Sequence, residues 1–371
     1  MTRMRRNPLQ LRLRQTGLSL IELMIAMVVG LILIAGVLSI FISSRQSYGI
    51  NGAVAQIQEN GRFALDFIRK DTRMAGYMGC AKSSAQVANE LNSPANTALP
   101  YNFTNGITGF EYTGTAPTNT YTIASENPSP VTGTGNWSPA LDSTLQNLVI
   151  PGSDVLVVRN SQGGANPIYI TNIPSPTAAV FDVSIPGLQV GQIMVISNCV
   201  NTQIMQITTV GGGGTVITHN TGGGTPGNAS KDVATNFEGA QVSTPVTVVY
   251  YIGQGADGSP GLFEATTDTT KANGFNSQEL VPGVENMQVL YGVDTTGSQV
   301  PSQYVTADNV VDWSTVVSVR VALLMRSNLG AVPLPATAPQ YTLEDTTIKA
   351  PLDTRLRQVF TATIGIRNSL P

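Results

Sequence analysis

The sequence predicts an α+β protein. One long N-terminal helix, apolar in its first half and amphipathic in its second, is laid on an antiparallel β-sheet domain with long Gly/Thr/Asn-rich loops. Three observations carry this. From Leu23 to Ser44, 22 consecutive residues bear no charge, which is enough for a helix to cross a hydrocarbon core. No proline stands between Leu18 and Ser93, so nothing forces that helix to stop early. Beyond Gly76 the chain turns to short apolar runs, several with period-two alternation, separated by turn-forming stretches.

The bulk composition agrees. Of 371 residues, 42% are hydrophobic and only 12% charged, with 37 Gly and 22 Pro. That charged share is about half the usual one for soluble domains. It suits an extracytoplasmic, loop-rich chain better than a cytosolic helical enzyme. Charge is also unevenly spread. Arg3, Arg5, Arg6, Arg12 and Arg14 give the first 17 residues +5, and without them 15 basic side chains face 23 acidic ones, a balance of −8. An acidic body argues against a broad nucleic-acid-binding face. Basic residues just before an apolar span hold that end in the cytoplasm.

In the helix itself, Leu18 to about Met74 would extend about 85 Å at 1.5 Å per residue. A cleaved secretory signal fits poorly, because the small residue Gly17 precedes the apolar run instead of following it. Ala26 and Gly30 form a small-xxx-small pair that suits close helix packing. Past Arg45, Val54, Ile57, Gly61, Ala64, Leu65, Ile68, Thr72 and Ala75 recur at helical spacing, with charges between them. The second half is thus built to pack along one stripe.

In the remainder, strands are expected at Leu148–Ile150 with Val155–Val158, and at Ile193–Ser197, Val246–Ile252, Met287–Tyr291, Val316–Met325 and Val359–Ile366. The segments "NSPANTALPYNFTNGITGFEYTGTAPTNTYT" and "GGGGTVITHNTGGGTPGNAS" read as loops, the second as a mobile connector. Cys80 and Cys199 are the only cysteines. In an oxidising compartment one disulfide is expected, with two buried thiols as the alternative. His219 is the only histidine, so a His-based triad or multi-His metal site is excluded within this chain. Ser153 in "GSDVL" and the single Asp residues of "GQGADGSPG" and "GVDTTGSQ" read as turn residues. No catalytic, cofactor or metal site is expected.

Gly17, the "LSLIEL" that follows it, and Glu22 as the fifth residue after the glycine closely resemble a type IV prepilin behind its basic leader. The segment "SSRQSYGINGAVAQIQENGRFALDFIRKDTRMAGYMGC" resembles the stem of the PilW minor pilins. "GSDVLVVRN", "LVPGVENMQVLYGVD", "VVSVRVALLMRS" and "DTRLRQVFTATIGIRN" resemble the same family. Minor pseudopilins of type II secretion, of the J kind, share the leader and a similar "GVE…Y" block.

The resemblance implies that a prepilin peptidase cuts after Gly17 and N-methylates Leu18, where most members have Phe. It also implies that Glu22 pairs with the terminal ammonium of a neighbouring subunit. Residues 1–17 would then be leader, 18–44 membrane or filament-core helix, 45–76 its amphipathic continuation and 77–371 the globular domain. The expected setting is the inner membrane of a Gram-negative bacterium, single-pass with a periplasmic C-terminal domain, and then the pilus. Expected partners are the peptidase, other minor pilins, the major pilin and a tip adhesin-type protein. The expected role is priming pilus assembly in a tip complex that serves twitching and adhesion. A different class, a DNA- or glycan-binding surface module using the long loops, is disfavoured by the acidic body.

Overall fold

The computed structural model describes residue 17 and residues 19–80, 86–163, 166–222, 224–233 and 235–367. The basic leader before Gly17, and Leu18, lie outside these residues. Helix α1 runs unbroken over Leu20–Arg73, as the lack of proline and the continuous helical spacing require. The chain divides into two compact units, residues 1–52 and 53–371.

In the first unit the large apolar side chains of α1 from Leu20 (78% exposed) to Ile42 (55%) are all open to the surroundings. By length and composition this helix can cross a membrane. An all-round apolar helix with no protein cover requires lipid or other helices about it.

In the second unit, Ile57, Gly61, Ala64, Leu65, Ile68 and Thr72 of α1 are buried, with Ala75 just beyond its end. The expected stripe therefore faces the core, and only Val54 at its start is partly covered. It packs against two sheets at once: Val158, Val248, Tyr250 and Ile252 from one, and Val289, Val321, Leu323 and Ile364 from the other. Gly61 lies on the Phe360 ring, where even a methyl carbon would come to 2.7 Å. The helix ends at a tightened turn, Met74 N–H to Asp71 and Ala75 N–H to Thr72, followed by Gly76 at φ 76°. There the backbone runs so close to Gly106 that a Cβ on the latter would meet the Gly76 nitrogen at 2.3 Å. Gly76 N–H donates to the Arg159 carbonyl, handing the chain from helix to sheet.

Among the described residues the strands form a 13-stranded sheet, a 4-stranded sheet and a 3-stranded sheet. In the largest, the Gln241–Gln254 strand is central, pairing antiparallel with strands 155–162, 168–172, 193–197 and 260–267 along its length. The 4-stranded sheet is antiparallel, with strands 303–305, 284–293, 316–326 and 357–365 side by side. Strand 316–326 is buried on both faces except at Arg320. Val319, Val321 and Leu323 face α1, whereas Ala322 and Leu324 lie under the small sheet with Leu343 and Ile348.

The structure corrects four expectations. Leu148–Ile150 is not a strand. Asn147 (φ 62°) and Gly152 (φ 87°) bracket it with turns, Pro151 has no N–H to give a ladder, and its cross-chain bonds go to two different segments, Ile150 N–H to the Ile252 carbonyl and Val131 N–H to the Val149 carbonyl. The first supposed loop contains strands Ile107–Tyr112 and Thr120–Thr122, hidden because Thr and Gly interrupt their apolar pattern. Two strand pairs are parallel, 86–89 with 201–204 and 347–349 with 120–122. The Gly-rich connector is tied down, not loose. Asn228 and Gln206 exchange side-chain and backbone hydrogen bonds at 2.6 and 2.7 Å, and Gln206 also holds Gly227 N–H and the Thr225 carbonyl.

Tyr250 seals the helix to the sheet. Its hydroxyl donates to the Asp71 carboxylate at 2.6 Å and lies 3.1 Å from the Phe67 carbonyl. Burial, with the Asp71 charge beside it, pushes the phenol far above its ordinary pKa. Tyr250→Phe should lower the unfolding free energy by about 1.5–3 kcal/mol, as expected for a lost bond to a charged group, measured by denaturant titration of the detergent-solubilised chain. Gly106→Ala, which strikes backbone instead of a movable side chain, should do more damage than Gly61→Ala in the same measurement.

Candidate functional site

The N-terminal end of α1 is shaped by four residues, Ser19-Leu20-Ile21-Glu22. Ser19 stands just outside the helix and its carbonyl accepts from Glu22 and Leu23 N–H at 3.1 Å each. Its Oγ accepts Glu22 N–H at 3.3 Å, and the Glu22 carboxylate accepts Ser19 N–H at 3.5 Å. This is a reciprocal capping box, and the carboxylate also complements the positive end of the helix dipole. Both side-chain bonds are long. Among the described residues, Glu22 accepts only this one side-chain bond and stays exposed, so most of its acceptor capacity is free. Gly17 is exposed, with open space around its Cα. At Gly30 a Cβ would likewise meet nothing within 4 Å among the described residues.

The two cysteines are joined: Cys80 and Cys199 form a disulfide with Cα atoms 4.7 Å apart across a sequence separation of 119. Cys80 follows the turn after α1, and Cys199 (φ 69°) sits in the turn between strands 193–197 and 201–206. The bridge thus ties the root of the helix to the rim of the large sheet.

Three polar constellations lie inside the globular unit. At "GSD", Asp154 bridges the two large sheets: one carboxylate oxygen accepts Tyr112 N–H at 2.9 Å and the other accepts Val289 N–H at 2.8 Å. Ser153 is no mere turn residue; its carbonyl accepts the Trp137 indole N–H, and its hydroxyl lies 3.4 Å from Met287 N. Glu111, also buried, hydrogen-bonds Asp154, and burial pushes both carboxyls up. The pair holds a proton between them at neutral pH, because two buried carboxylates in contact cannot both ionise.

Second, Glu285, Arg357 and Asp353 form a fully enclosed ion cluster. Arg357 donates to Glu285 at 2.5 and 3.0 Å and to Asp353 at 2.8 and 2.7 Å, and Arg326 joins at 3.4 Å. Burial works against the Arg357 charge, but the bonds from both carboxylates outweigh it and raise its pKa. Third, His219 is fully buried beside Phe181, with ring centroids 5.3 Å apart. Neither of its ring nitrogens has a hydrogen-bond partner among the described residues, and burial pushes it down to about 4. Asp257 and Asp294 each accept N–H groups of their own turns. Among the described residues no group of three or more His, Cys, Asp or Glu side chains is placed to hold a metal.

Asp154 and the arginine cluster join separate elements of the globular unit to one another. The bridge between Cys80 and Cys199 expected from the sequence is present. Ser19 went unread in the sequence, although S-x-x-E ahead of an apolar run is a readable capping signal, as did the Asp154 and Arg357 constellations, whose members come from distant blocks.

The prokaryotic N-terminal methylation motif matches residues 12–38, which span Gly17, the capping box and the opening turns of α1. The chain thus carries the N-terminal motif of type IV prepilins over those residues. The pattern of the type IV pilus-assembly protein W family, PilW, matches residues 249–368. That third of the chain contains the 4-stranded sheet and the Arg357 cluster. Neither a curated protein nor a solved structure shows significant similarity to the chain.

Two measurements follow. The chain-entropy model assigns about 4–5 kcal/mol to a crosslink closing a loop of this length. Reductant should therefore lower the denaturation midpoint of the wild-type chain and leave a Cys80→Ser/Cys199→Ser variant unchanged. His219 takes up a proton near pH 6.5 when unfolded but only near 4 when folded, so its contribution is complete above about 6.5 and lost as pH falls toward 4. His219→Phe should flatten the stability decline over that window relative to wild type.

Proposed function

We propose that this protein is a minor pilin of the PilW kind that primes type IV pilus assembly. Its leader ends at Gly17, a prepilin peptidase cuts there, and Leu18 becomes the methylated N-terminus. Before assembly the chain spans the inner membrane once with its C-terminal domain in the periplasm. It then joins other minor pilins beneath a tip protein and above the major pilin, supporting twitching and adhesion. The role is structural. The observation that carries the reading is the exposed, uncharged first half of α1, opened by a glutamate whose carboxylate is only loosely engaged among the described residues.

Cleavage after Gly17 would leave the Leu18 ammonium at the positive end of the helix dipole, where it is unfavourable. In an apolar bundle an unpaired ammonium or carboxylate is costly, and pairing the two across subunits relieves both. Capping alone would also account for Glu22, and one substitution separates the two. Glu22→Gln keeps a capping-box residue but removes the charge, whereas Ser19→Ala weakens the cap by about 1 kcal/mol and keeps the charge.

The pairing role predicts that Glu22→Gln is processed normally yet is missing from sheared filaments, like Glu22→Ala, while Ser19→Ala is incorporated. Glu22→Gln incorporated as well as wild type would reduce Glu22 to a cap. A type II secretion pseudopilin remains the second reading, and the match to a pilus-assembly family favours the first. A secretion defect with normal piliation in a clean deletion would reverse that order.

A further inference from the structure

Strand 357–365 closes one side of the 4-stranded sheet. Among the described residues it pairs with strand 316–326 on one edge and with no strand on the other. Its register with strand 316–326 is uninterrupted over nine residues, from Arg326 opposite Arg357 to Ser318 opposite Gly365. Just beyond the two ends, Ser327 N–H donates to the Leu356 carbonyl and Ile366 N–H to the Val317 carbonyl. In an antiparallel ladder, bonded positions alternate. The even-numbered residues of strand 357–365 therefore bond inward, and Val359, Thr361, Thr363 and Gly365 direct their N–H and C=O groups to the open edge. Thr361, Thr363 and Gly365 are exposed, and a Cβ at Gly365 would meet nothing within 4 Å.

Open edges of this length are normally blunted by a charge, a proline or a bulge. The edge strand 275–282 of the large sheet shows those devices: Glu279, Pro282 and a register shift opposite Leu262/Phe263. Strand 357–365 has none of them. Its one charged residue, Arg357, is turned inward to Glu285 and Asp353, leaving "QVFTATIG" uncharged along the edge.

We infer that this edge receives an extended segment of a different subunit, which adds a strand to the 4-stranded sheet. A second copy of the same strand does not fit. Antiparallel self-pairing continues the sheet through a two-fold axis perpendicular to it, which keeps α1 on the same face but reverses the direction of residues 53–73. Two chains anchored in one membrane cannot run in opposite directions. Two-fold parallel self-pairing keeps the direction but sets each N–H opposite the same N–H of the other copy, so no ladder forms.

The fitting partner is an uncharged stretch of about five or more residues, with main-chain bonds giving affinity and alternate side chains giving specificity. Its apolar positions fall beside Phe360, Ala362 and Ile364 on the face that packs against α1. Its small or hydroxyl positions fall beside Thr361 and Thr363 on the open face.

The inference rests on the reading of the chain as a membrane-anchored assembly subunit, and the test separates the two. A photo-crosslinking residue is placed singly at Thr361, Thr363 and, as an exposed control, Thr342 in the full-length chain, and crosslinked adducts are collected from irradiated cells. Expected are adducts to another pilus protein at 361 and 363, and none at 342. Thr361→Pro removes an outward N–H without touching the ladder to strand 316–326. It should therefore leave the melting temperature within about 2 °C of wild type and cut recovery of the co-purifying subunit on the order of tenfold. A homodimeric adduct, adducts no different from the 342 control, or wild-type recovery with Thr361→Pro would each overturn the inference. Heterologous adducts in a strain whose deletion pilates normally would instead leave the edge standing and remove the proposed function.

Discussion

The largest core of the globular unit is organised around the burial of one helical stripe. Ile57, Gly61, Ala64, Leu65 and Ile68 present an apolar face to two sheets at once, and each sheet buries one side against them. The sheets would otherwise expose Val248, Tyr250, Val321 and Leu323, and a sheet with one bare apolar face is not stable in water. The contact is fixed at three places. Gly61 lets the helix settle on Phe360, Tyr250 grips its last turn through Asp71, and the Gly76–Gly106 approach sets where the chain leaves it.

The buried charges serve the same end. Asp154 accepts backbone N–H groups from both large sheets, so it fixes their mutual position more narrowly than apolar packing can. Its partner Glu111 keeps the proton that makes this burial tolerable. The Glu285–Arg357–Asp353 cluster anchors the start of strand 357–365, turning inward the one charge that would have blunted its edge. Removing one member of such a cluster leaves an uncompensated buried charge, so the edge stays uncharged for as long as the fold holds.

The helix was legible because its signals are long: 22 uncharged residues, then a stripe sustained over five turns. Strands 193–197, 284–293, 316–326 and 357–365 were legible from alternation and β-branched content. The expected strand at 148–150 failed because a three-residue apolar run carries no period, and Asn147 and Gly152 decided the local backbone. Ile107–Tyr112 was missed for the opposite reason, since a buried Glu111 and two interior positions filled by Thr and Gly mask a strand whose neighbour lies some 45 residues on. At the N-terminus, Gly17 and Glu22 were readable as a pattern, and the Ser19 cap shows that the glutamate has local work as well. The Asp154 joint and the arginine cluster depend on residues brought together from distant segments, which no local pattern reports.

One helix therefore carries both halves of the account: a stripe that assembles the domain, and an uncharged, uncovered run that needs a membrane or other helices around it. The central claim is that this run begins a processed pilin. The most direct measurement is the terminal peptide of the protein recovered from surface filaments, read by mass spectrometry. The account predicts a chain beginning at N-methylated Leu18. A filament-borne chain that retains residues 1–17 would contradict it.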